Sequence, residues 1–141
     1  MFLYAPRKQP RGLRLNNPGN LKELPGDITS WKGERATDDD PIFEEFVDHF
    51  HGIRAMGRVL DSYQRRGVDT IEQIIHTYAP GIENDTESYI RAIERTTGFN
   101  RTDIIGRDRG NMPDLVAAMI HQEQGEQPFS KEFISAALAA A

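Results

Sequence analysis

A single carboxylate interrupts an otherwise regular apolar stripe near the carboxyl end of the chain. In the stretch LVAAMIHQEQG (115–125), apolar residues recur at the three- and four-residue spacing of one helix face, and the next position on that face holds Glu123. A carboxyl group on an apolar wall at a helix end is partly withdrawn from water, which raises its pKa and suits it to donate a proton near neutral pH. Glu123 is therefore a candidate general acid. The alternative is a structural carboxylate that caps a neighbouring helix or pairs with an arginine, and the stripe alone favours that alternative.

The amino-terminal third holds side chains that are suited to binding sugars. The turn NNPGN (16–20) presents amides that donate and accept hydrogen bonds, and Trp31 offers a flat face for stacking. Two tyrosines on predicted helices are placed to face the same cleft. The candidate ligand-binding residues are Asn16, Asn17, Asn20, Trp31, Tyr78 and Tyr89. Each has a simpler interpretation, because NNPGN makes a good turn without a ligand and a lone tryptophan is as often a core residue.

Several other chemistries are disfavoured by the residues present. The chain has no cysteine, so it forms neither disulfides nor thiolate metal ligands. His49 and His51 would point in different directions on a helix, so they are not expected to share a metal. The stretch DDDP (38–41) lacks the ligand spacing of a calcium loop and indicates a solvated turn. Phosphate-loop and serine-nucleophile motifs are missing as well. We expect neither a metal nor a cofactor.

Length and charge indicate one domain. The chain has 141 residues and a net charge of −5, with 38% hydrophobic and 28% charged residues, which is an ordinary composition for a single folded domain. We take residues 1–141 as that domain, with residues 1–10 as a flexible amino-terminal arm. The acidic balance argues against a nucleic-acid partner, and a helix-turn-helix-like module at RTDIIGRDRG (101–110) is a minor alternative. Neither a signal peptide nor a membrane span is expected at the amino terminus.

The first 48 residues carry a pattern of turns and short segments. Two turn sequences, NNPGN (16–20) and LPGD (24–27), come before or between segments that are plausible strands. Those segments are LK (21–22), SWKG (30–33) and IFEEF (42–46). They predict a small irregular β flap built by the amino-terminal third.

From about residue 49 onward, apolar residues recur at helical spacing, so the fold is predicted to be mostly α, in an α+β arrangement with the flap. Five helices are expected. The first runs from about residue 49 to a stop at Gly67, and the second is opened by an Asp69–Glu72 capping box and ended by Pro80. The third has Asn84 or Asp85 as N-cap, Glu87 in its first turn and Gly98 at its end; the fourth runs from about Pro113 to Gln124 and is capped by Asn111 or Met112; and the fifth is capped by Ser130. A loop with one helical turn is expected at 101–111.

Three motifs extend over much of the chain: RGLRLNNPGNLK (11–22), SWKG (30–33) and APGIENDTESYI (79–90). Together they resemble a family of small phage and prophage structural proteins, whose members share R-G-x-R-x-N-N-P-G-N, W-x-G and A-P-x-x-E-N-x-T-x-Y. The resemblance implies association with a virion and contacts with other virion or tail proteins. The third motif adds Glu83 and Asn84 to the candidate ligand-binding residues, although it also fits a helix end followed by an N-cap.

A second similarity lies in the order of the motifs. NPGNLK (17–22), SWKG (30–33) and IFEEF (42–46) are similar to a turn, a W-x-G and a strand of glucosaminidases and lytic transglycosylases of the lysozyme superfamily. In that superfamily a helix with the catalytic glutamate precedes these motifs, whereas here the comparable helix end follows them. The chain therefore resembles a circularly permuted lysozyme-like helical domain with Glu123 in the place of the catalytic glutamate. The serine that usually follows is Gln124 here.

This resemblance implies cleavage of peptidoglycan glycan strands, of the lytic transglycosylase or the muramidase/glucosaminidase type, by a phage- or prophage-associated protein. Hydrolysis would use a second carboxylate, and Glu34 is the first candidate for a catalytic partner, followed by Glu83 and Asp39. An exposed loop charge is the simpler interpretation of Glu34. Such a protein would be virion-associated, or made in the host cytoplasm and delivered to the periplasm. The main alternative is a non-enzymatic virion or tail component with the same fold.

Overall fold

The computed structural model describes residues 9–24, 26, 30–81 and 83–141, apart from the side chains of Glu83 and Asn84. The described chain is mostly helical, which confirms the predicted class. Its helices are α1 (Arg11–Arg14), α2 (His49–Arg65), α3 (Ile71–Tyr78), α4 (Glu83–Thr97), α5 (Met112–Gln124) and α6 (Lys131–Ala139), with a 3-10 turn at Arg107–Arg109. No helix in these ranges is both long and apolar enough to cross a membrane. Most of the arm predicted at residues 1–10 lies outside the described residues.

The five longer helices enclose one apolar core. Helix α2 turns Ile53, Met56 and Leu60 inward, and α5 contributes Leu115 and Met119, all of which are fully or almost fully buried. Helix α2 packs on α6, and α5 contacts both α4 and α6. Burial of one such side chain contributes about 1.5–3 kcal/mol relative to an exposed position. The apolar stripe of α5 is therefore held firmly in the core, and this fixes where the end of α5 lies.

The predicted ends of three helices are confirmed by glycines in the left-handed region. The angle φ is 78° at Gly67, 77° at Gly98 and 76° at Gly125, as expected for residues that close a helix. The predicted cap of α6 is also confirmed, because the Ser130 side chain accepts a hydrogen bond from the backbone N–H of Phe133. The expected single helical turn at 101–111 is the 3-10 turn.

The predicted start of α3 is wrong by one residue. The N-cap is Thr70, whose side chain accepts a hydrogen bond from the backbone N–H of Gln73, while the Gln73 side chain bonds back to the N-cap. The box predicted at Asp69 with Glu72 is therefore shifted by one position. Both pairs satisfy the capping-box pattern, so the sequence pattern alone does not separate them.

The predicted cap of α4 needs correction. Helix α4 begins at Glu83, so Asn84 and Asp85 lie inside it and do not cap it, and Glu87 falls beyond its first turn. The N-cap of α5 is Asn111, one of the two residues predicted, although its side chain makes no capping hydrogen bond. Its amide instead bonds across the preceding loop, donating to the Ile104 carbonyl and accepting from the Gly106 N–H.

The amino-terminal third is more irregular than the predicted β flap. Within its described residues, the strand pairing is limited to the isolated bridges Lys22–Phe43 and Glu34–Phe46. Backbone hydrogen bonds accompany these bridges, such as the one from the Glu44 N–H to the Leu21 carbonyl. Side chains add to them, since the amide of Asn17 donates to the Glu44 carbonyl and the Arg35 guanidinium donates to the Phe46 carbonyl. The region therefore stays folded without continuous strands.

One element in this third was not predicted. Helix α1 is a single turn that begins after Pro10, which lies at its N-cap. Four residues are too few to show a helical period in the sequence. Helix α1 packs against α5, and it therefore brings the amino-terminal third to the helix that carries Glu123.

Candidate functional site at the end of α5

Glu123 lies in the last turn of α5 and contacts the NNPGN turn directly. The side-chain Nδ2 of Asn20 donates to Oε1 of Glu123 at 3.0 Å and to the Glu123 main-chain carbonyl at 3.2 Å. These residues are 103 positions apart in the sequence. The helix stops just beyond them because Gly125 adopts a left-handed φ of 76°. The turn and the glutamate were expected to share one site, and the structure brings them together.

Two tyrosines approach the same site from neighbouring helices. The hydroxyl of Tyr89, on α4, donates to the Met119 carbonyl at 3.5 Å, and it lies close enough to the Glu123 carboxyl for the two groups to alter each other's pKa. The hydroxyl of Tyr78, at the end of α3, donates to the carbonyl of Gly19 in the turn. Burial, followed by the charge of Glu123, raises the pKa of both tyrosines. Both hydroxyls therefore stay protonated and remain hydrogen-bond donors.

The environment of Glu123 favours its protonated form. Burial raises the pKa of this carboxyl group above its ordinary value, while hydrogen bonds from Asn20 and Tyr89 and the charge of Lys22 lower it in part. The side chain is partly buried and not sealed off. A carboxyl group in such a place can donate a proton near neutral pH, and its neutral hydrogen-bond donors then stabilise the anion that remains.

The residue after Glu123 extends this network into the interior. Gln124 is only 5% exposed, and its Nε2 donates to the Pro18 carbonyl at 2.9 Å and to Oδ1 of Asn20 at 2.8 Å. Helix α1 passes directly over the junction, since a Cβ atom placed on Gly12 would collide with the side-chain amides of Asn20 and Gln124. Neither Gln124 nor Gly12 was predicted as a site residue.

The three asparagines of the turn have different roles. Asn16 and Asn20 adopt left-handed φ angles of 55° and 52°, which asparagine tolerates better than most residues. Asn17 is fully buried, and its amide is used in hydrogen bonds to the backbone of the turn and to the Glu44 carbonyl. Asn16 donates to the Phe46 carbonyl at 3.2 Å. The buried Asn17 side chain therefore holds the turn in place and is not open to a ligand. The half-buried Asn16 ties the turn to Phe46, and Asn20 is the asparagine that reaches the helix end.

Trp31 and Glu34 lie in a second polar region, the flap segment (residues 30–46). The indole of Trp31 and the carboxyl of Glu34 both lie next to the carboxyl group of Glu44 and act on its pKa. Glu44 is 6% exposed, and burial together with the nearby carboxylates of Glu34 and Glu23 raises the pKa of Glu44 to about 8. Glu44 therefore keeps its proton near neutral pH.

This acidic region borders a cavity of about 250 Å³ that is lined mostly by carboxylates. In the described part of the chain, no hydrogen bond or ion pair joins Glu34 to Glu123. The structure thus brings the expected partner carboxylate, Glu34, together with Glu44, which was not among the predicted site residues. Asp39, another candidate, is exposed in the flap segment, where its N–H donates to Oε2 of Glu45 at 2.7 Å.

Two of the predicted ligand-binding residues are only partly placed. Glu83 and Asn84 lie in the first turn of α4, and their side chains are outside the described set, so their roles stay predictions. Among the described residues, no group of three or more His, Asp or Glu side chains is arranged to hold a metal ion.

Comparison with known proteins adds the chain's family. No protein-family model matches the chain. A curated relative is 41% identical over 135 residues, which is 95% of this chain and 83% of the relative. That relative is a phage protein, and at this identity and coverage the chain belongs to the same family of phage proteins. The relative is Protein P5 of Pseudoalteromonas phage PM2, a name that states no activity.

Proposed function

We propose that this chain cleaves the glycan strands of peptidoglycan, with Glu123 as the general acid. The observation that carries the proposal is the site at the end of α5. There, a partly buried carboxyl group with a raised pKa accepts a hydrogen bond from the neutral Asn20 amide and lies beside the hydroxyl of Tyr89. A carboxyl group whose pKa is raised by burial is suited to donate a proton to a glycosidic oxygen.

In the proposed reaction, Glu123 transfers its proton to the oxygen of the bond between two amino sugars. The bond from the anomeric carbon to that oxygen breaks, and its electron pair goes to the oxygen, which leaves as a hydroxyl group. Glu123 becomes a carboxylate, and the hydrogen bond from Asn20 and the nearby hydroxyl of Tyr89 stabilise this charge. The donors therefore act where negative charge develops.

The fate of the anomeric carbon distinguishes two versions of the reaction. In a transglycosylase version, the Glu123 carboxylate takes the proton of the muramic acid 6-hydroxyl, which closes an anhydro ring. In a hydrolytic version, water attacks, and a second carboxylate assists it. Glu34 lies beside Glu44, and in the described residues no hydrogen bond joins it to Glu123. This favours the transglycosylase version, which needs a single carboxylate.

The phage family supports the proposed setting. A phage protein with this activity would act as part of the virion, or be made in the host cytoplasm and reach the periplasm during infection. Trp31 and the face of the turn next to Asn20 are the proposed contacts to the glycan. A lysozyme-like arrangement, circularly permuted, would place them along one binding surface with Glu123.

A non-enzymatic role in the virion or tail is the second candidate. The specific observation in its favour is that the hydrogen bonds around Glu123 also join the amino-terminal turn to α5. A purely structural glutamate would need the same contacts. The two functions differ in what happens when the acid is replaced by its amide, since Glu123→Gln keeps an acceptor for Asn20 and loses only the transferable proton.

A zymogram with embedded peptidoglycan tests the proposal. Purified wild-type chain is expected to clear the gel, Glu123→Gln is expected not to, and Glu132→Gln is the matched control because Glu132 is exposed on α6. Mass spectrometry of the products then separates anhydro ends from reducing ends. Absence of clearing by folded wild-type protein would favour the structural role. Clearing by Glu123→Gln at the wild-type level would refute the assignment of Glu123.

A further inference from the structure

The side chains that meet at the end of α5 form a chain of hydrogen bonds with a fixed direction. Nε2 of Gln124 donates to the Pro18 carbonyl and to Oδ1 of Asn20, and Nδ2 of Asn20 donates to Oε1 of Glu123. The three distances are 2.8–3.0 Å. The first member is a backbone carbonyl, which only accepts hydrogen bonds. The Gln124 amide must therefore turn its NH₂ group toward Pro18.

The orientation of the Gln124 amide also fixes the orientation of the Asn20 amide. Because the NH₂ group of Gln124 also faces Asn20, the carbonyl end of the Asn20 amide must face Gln124. The NH₂ end of Asn20 is then directed at Glu123, where it meets both Oε1 and the main-chain carbonyl. Reversing either amide would set two acceptors or two donors against each other. The polarity of the network is thus set by the backbone of the turn.

Gln124 keeps this orientation although it leaves one of its own atoms without a partner. No described residue donates a hydrogen bond to its Oε1, which is buried. An unpaired buried acceptor lowers stability, so packing alone gives no reason for a glutamine at this position. The tight approach of α1 at Gly12 holds both amides in place. We therefore attribute the presence of this buried and incompletely paired amide to the orientation that it gives the Asn20 amide.

We propose that Gln124 is a positioning residue that acts through Asn20 to keep a donor on Oε1 of Glu123, so that the transferable proton resides on Oε2. This inference rests on the proposed function and names a further residue for the same reaction. Oε1, which accepts from Asn20, is the carbonyl-like oxygen of the protonated carboxyl group. Oε2 carries the proton to the glycosidic oxygen, and the donor on Oε1 stabilises the anion that is left.

The test uses NMR and kinetics on the full chain. The ¹³C signal of the Glu123 side-chain carboxyl is followed with pH in wild type, in Gln124→Met and in Gln122→Met, and it is assigned by its loss in Glu123→Gln. Gln122 is the matched control because it is exposed one residue before Glu123. Gln124→Met is expected to raise the midpoint by about 0.5–1 pH unit, since the anion loses a well-oriented donor. Gln122→Met is expected to leave it unchanged.

The kinetic arm separates positioning from a merely structural role. We expect Gln124→Met to lower kcat about tenfold, with KM within about twofold of wild type and the alkaline limb of the pH profile displaced upward. A lowered melting temperature with an unchanged Glu123 midpoint and an unchanged pH profile would overturn the proposal.

A measurement on the wild-type chain covers the case in which Gln124→Met does not fold. The side-chain NH₂ signals of both Asn20 and Gln124 are expected to shift with the same midpoint as the Glu123 carboxyl. Insensitivity of the Gln124 signal would overturn the proposal. If wild type lyses nothing, the proposed function fails, and these titrations still decide whether Gln124 governs the charge state of Glu123.

Discussion

Glu123 and Glu44 are two glutamates whose pKa is raised mainly by burial, and they have opposite surroundings. Glu123 lies beside neutral groups, the amide of Asn20 and the hydroxyl of Tyr89, and the positive charge of Lys22 is nearby. Glu44 lies beside the indole of Trp31, but it also faces the carboxyl of Glu34. One carboxyl group therefore stands among neutral and cationic groups, and the other stands among like charges.

The different surroundings of Glu123 and Glu44 determine what each carboxyl group can do with its proton. A carboxyl group among neutral donors loses its proton to a substrate and gains stabilisation of the resulting anion. A carboxyl group beside another carboxylate holds its proton because release brings two negative charges together. Glu123 is thus suited to proton transfer, whereas Glu44 is suited to retaining its proton. Substitutions in each region separate these two behaviours.

The largest expected effect on stability comes from a substitution at the end of α5, away from the flap segment. Gly12→Ala places a methyl group against the side-chain amides of Asn20 and Gln124 and at 2.8 Å from the Asn17 carbonyl. We expect a loss of about 1–3 kcal/mol in the free energy of unfolding, measured by urea denaturation. Gly81→Ala is the control, since a Cβ there points into open space. Equal stability of the two variants would mean that α1 does not clamp this junction.

The second-largest effect on stability is expected at Glu44 in the flap segment. The pKa of Glu44 is raised from 4.5 to about 8, so the folded state binds more protons than the unfolded state within that range, and stability falls as pH rises through it. Glu44→Gln keeps an acceptor for Trp31 and removes the charge. We expect it to be more stable than wild type by on the order of 1 kcal/mol at pH 8–9, with the gain vanishing near pH 4. Denaturation at both pH values checks this, and a gain that is independent of pH would contradict it.

A smaller gain in the same direction is expected for Glu123→Gln. The pKa of Glu123 is also raised by burial, but Asn20 and Tyr89 offset part of the rise. Its ionisation therefore destabilises the fold less than that of Glu44, again as pH rises above the ordinary value. Thermal unfolding at pH 5 and pH 8 measures the difference from wild type. A strongly destabilised Glu123→Gln at both pH values would indicate that the carboxylate itself holds the fold.

The smallest effect concerns the link between the two regions. The Arg11 guanidinium in α1 hydrogen-bonds to Asp40 in the flap segment at 2.6–2.7 Å and holds the pKa of Asp40 well below its ordinary 3.8. This contribution is present above that ordinary value and is lost as pH falls toward the lowered one. Arg11→Gln is expected to lower the melting temperature slightly at pH 7 and by less at pH 2.5. An equal loss at both pH values would show that the charge pair does not matter.

The sequence was informative where a period is long enough to detect. The stripe of α5 runs for several turns, so an acidic residue on it stands out, and Glu123 was found for that reason. The glycine stops were also readable, since few residues adopt a left-handed φ. The start of α3 could not be predicted to the residue, because Thr70 and Asp69 are both acceptable N-caps with a suitable partner three residues further along the chain.

The remaining site residues depend on contacts that sequence spacing does not encode. Gln124 is buried because the turn lies over it, and Gly12 is tight because α1 crosses there. Glu44 belongs to an irregular segment in which exposure does not alternate, so its burial has no signature in the pattern. Gln124 also stands where the resemblance to the lysozyme superfamily places a serine, and this departure was the only sequence signal that pointed to it.

The rate of peptidoglycan solubilisation as a function of pH tests the central claim most directly. Turbidity loss is followed for wild type, Glu123→Gln and the exposed control Glu132→Gln. Wild type and control are expected to share one profile, which declines at high pH as Glu123 loses its proton, while Glu123→Gln is at least about a hundredfold slower at the pH of the wild-type maximum. A Glu123→Gln variant that solubilises peptidoglycan at the wild-type rate would contradict the role of Glu123 as the general acid.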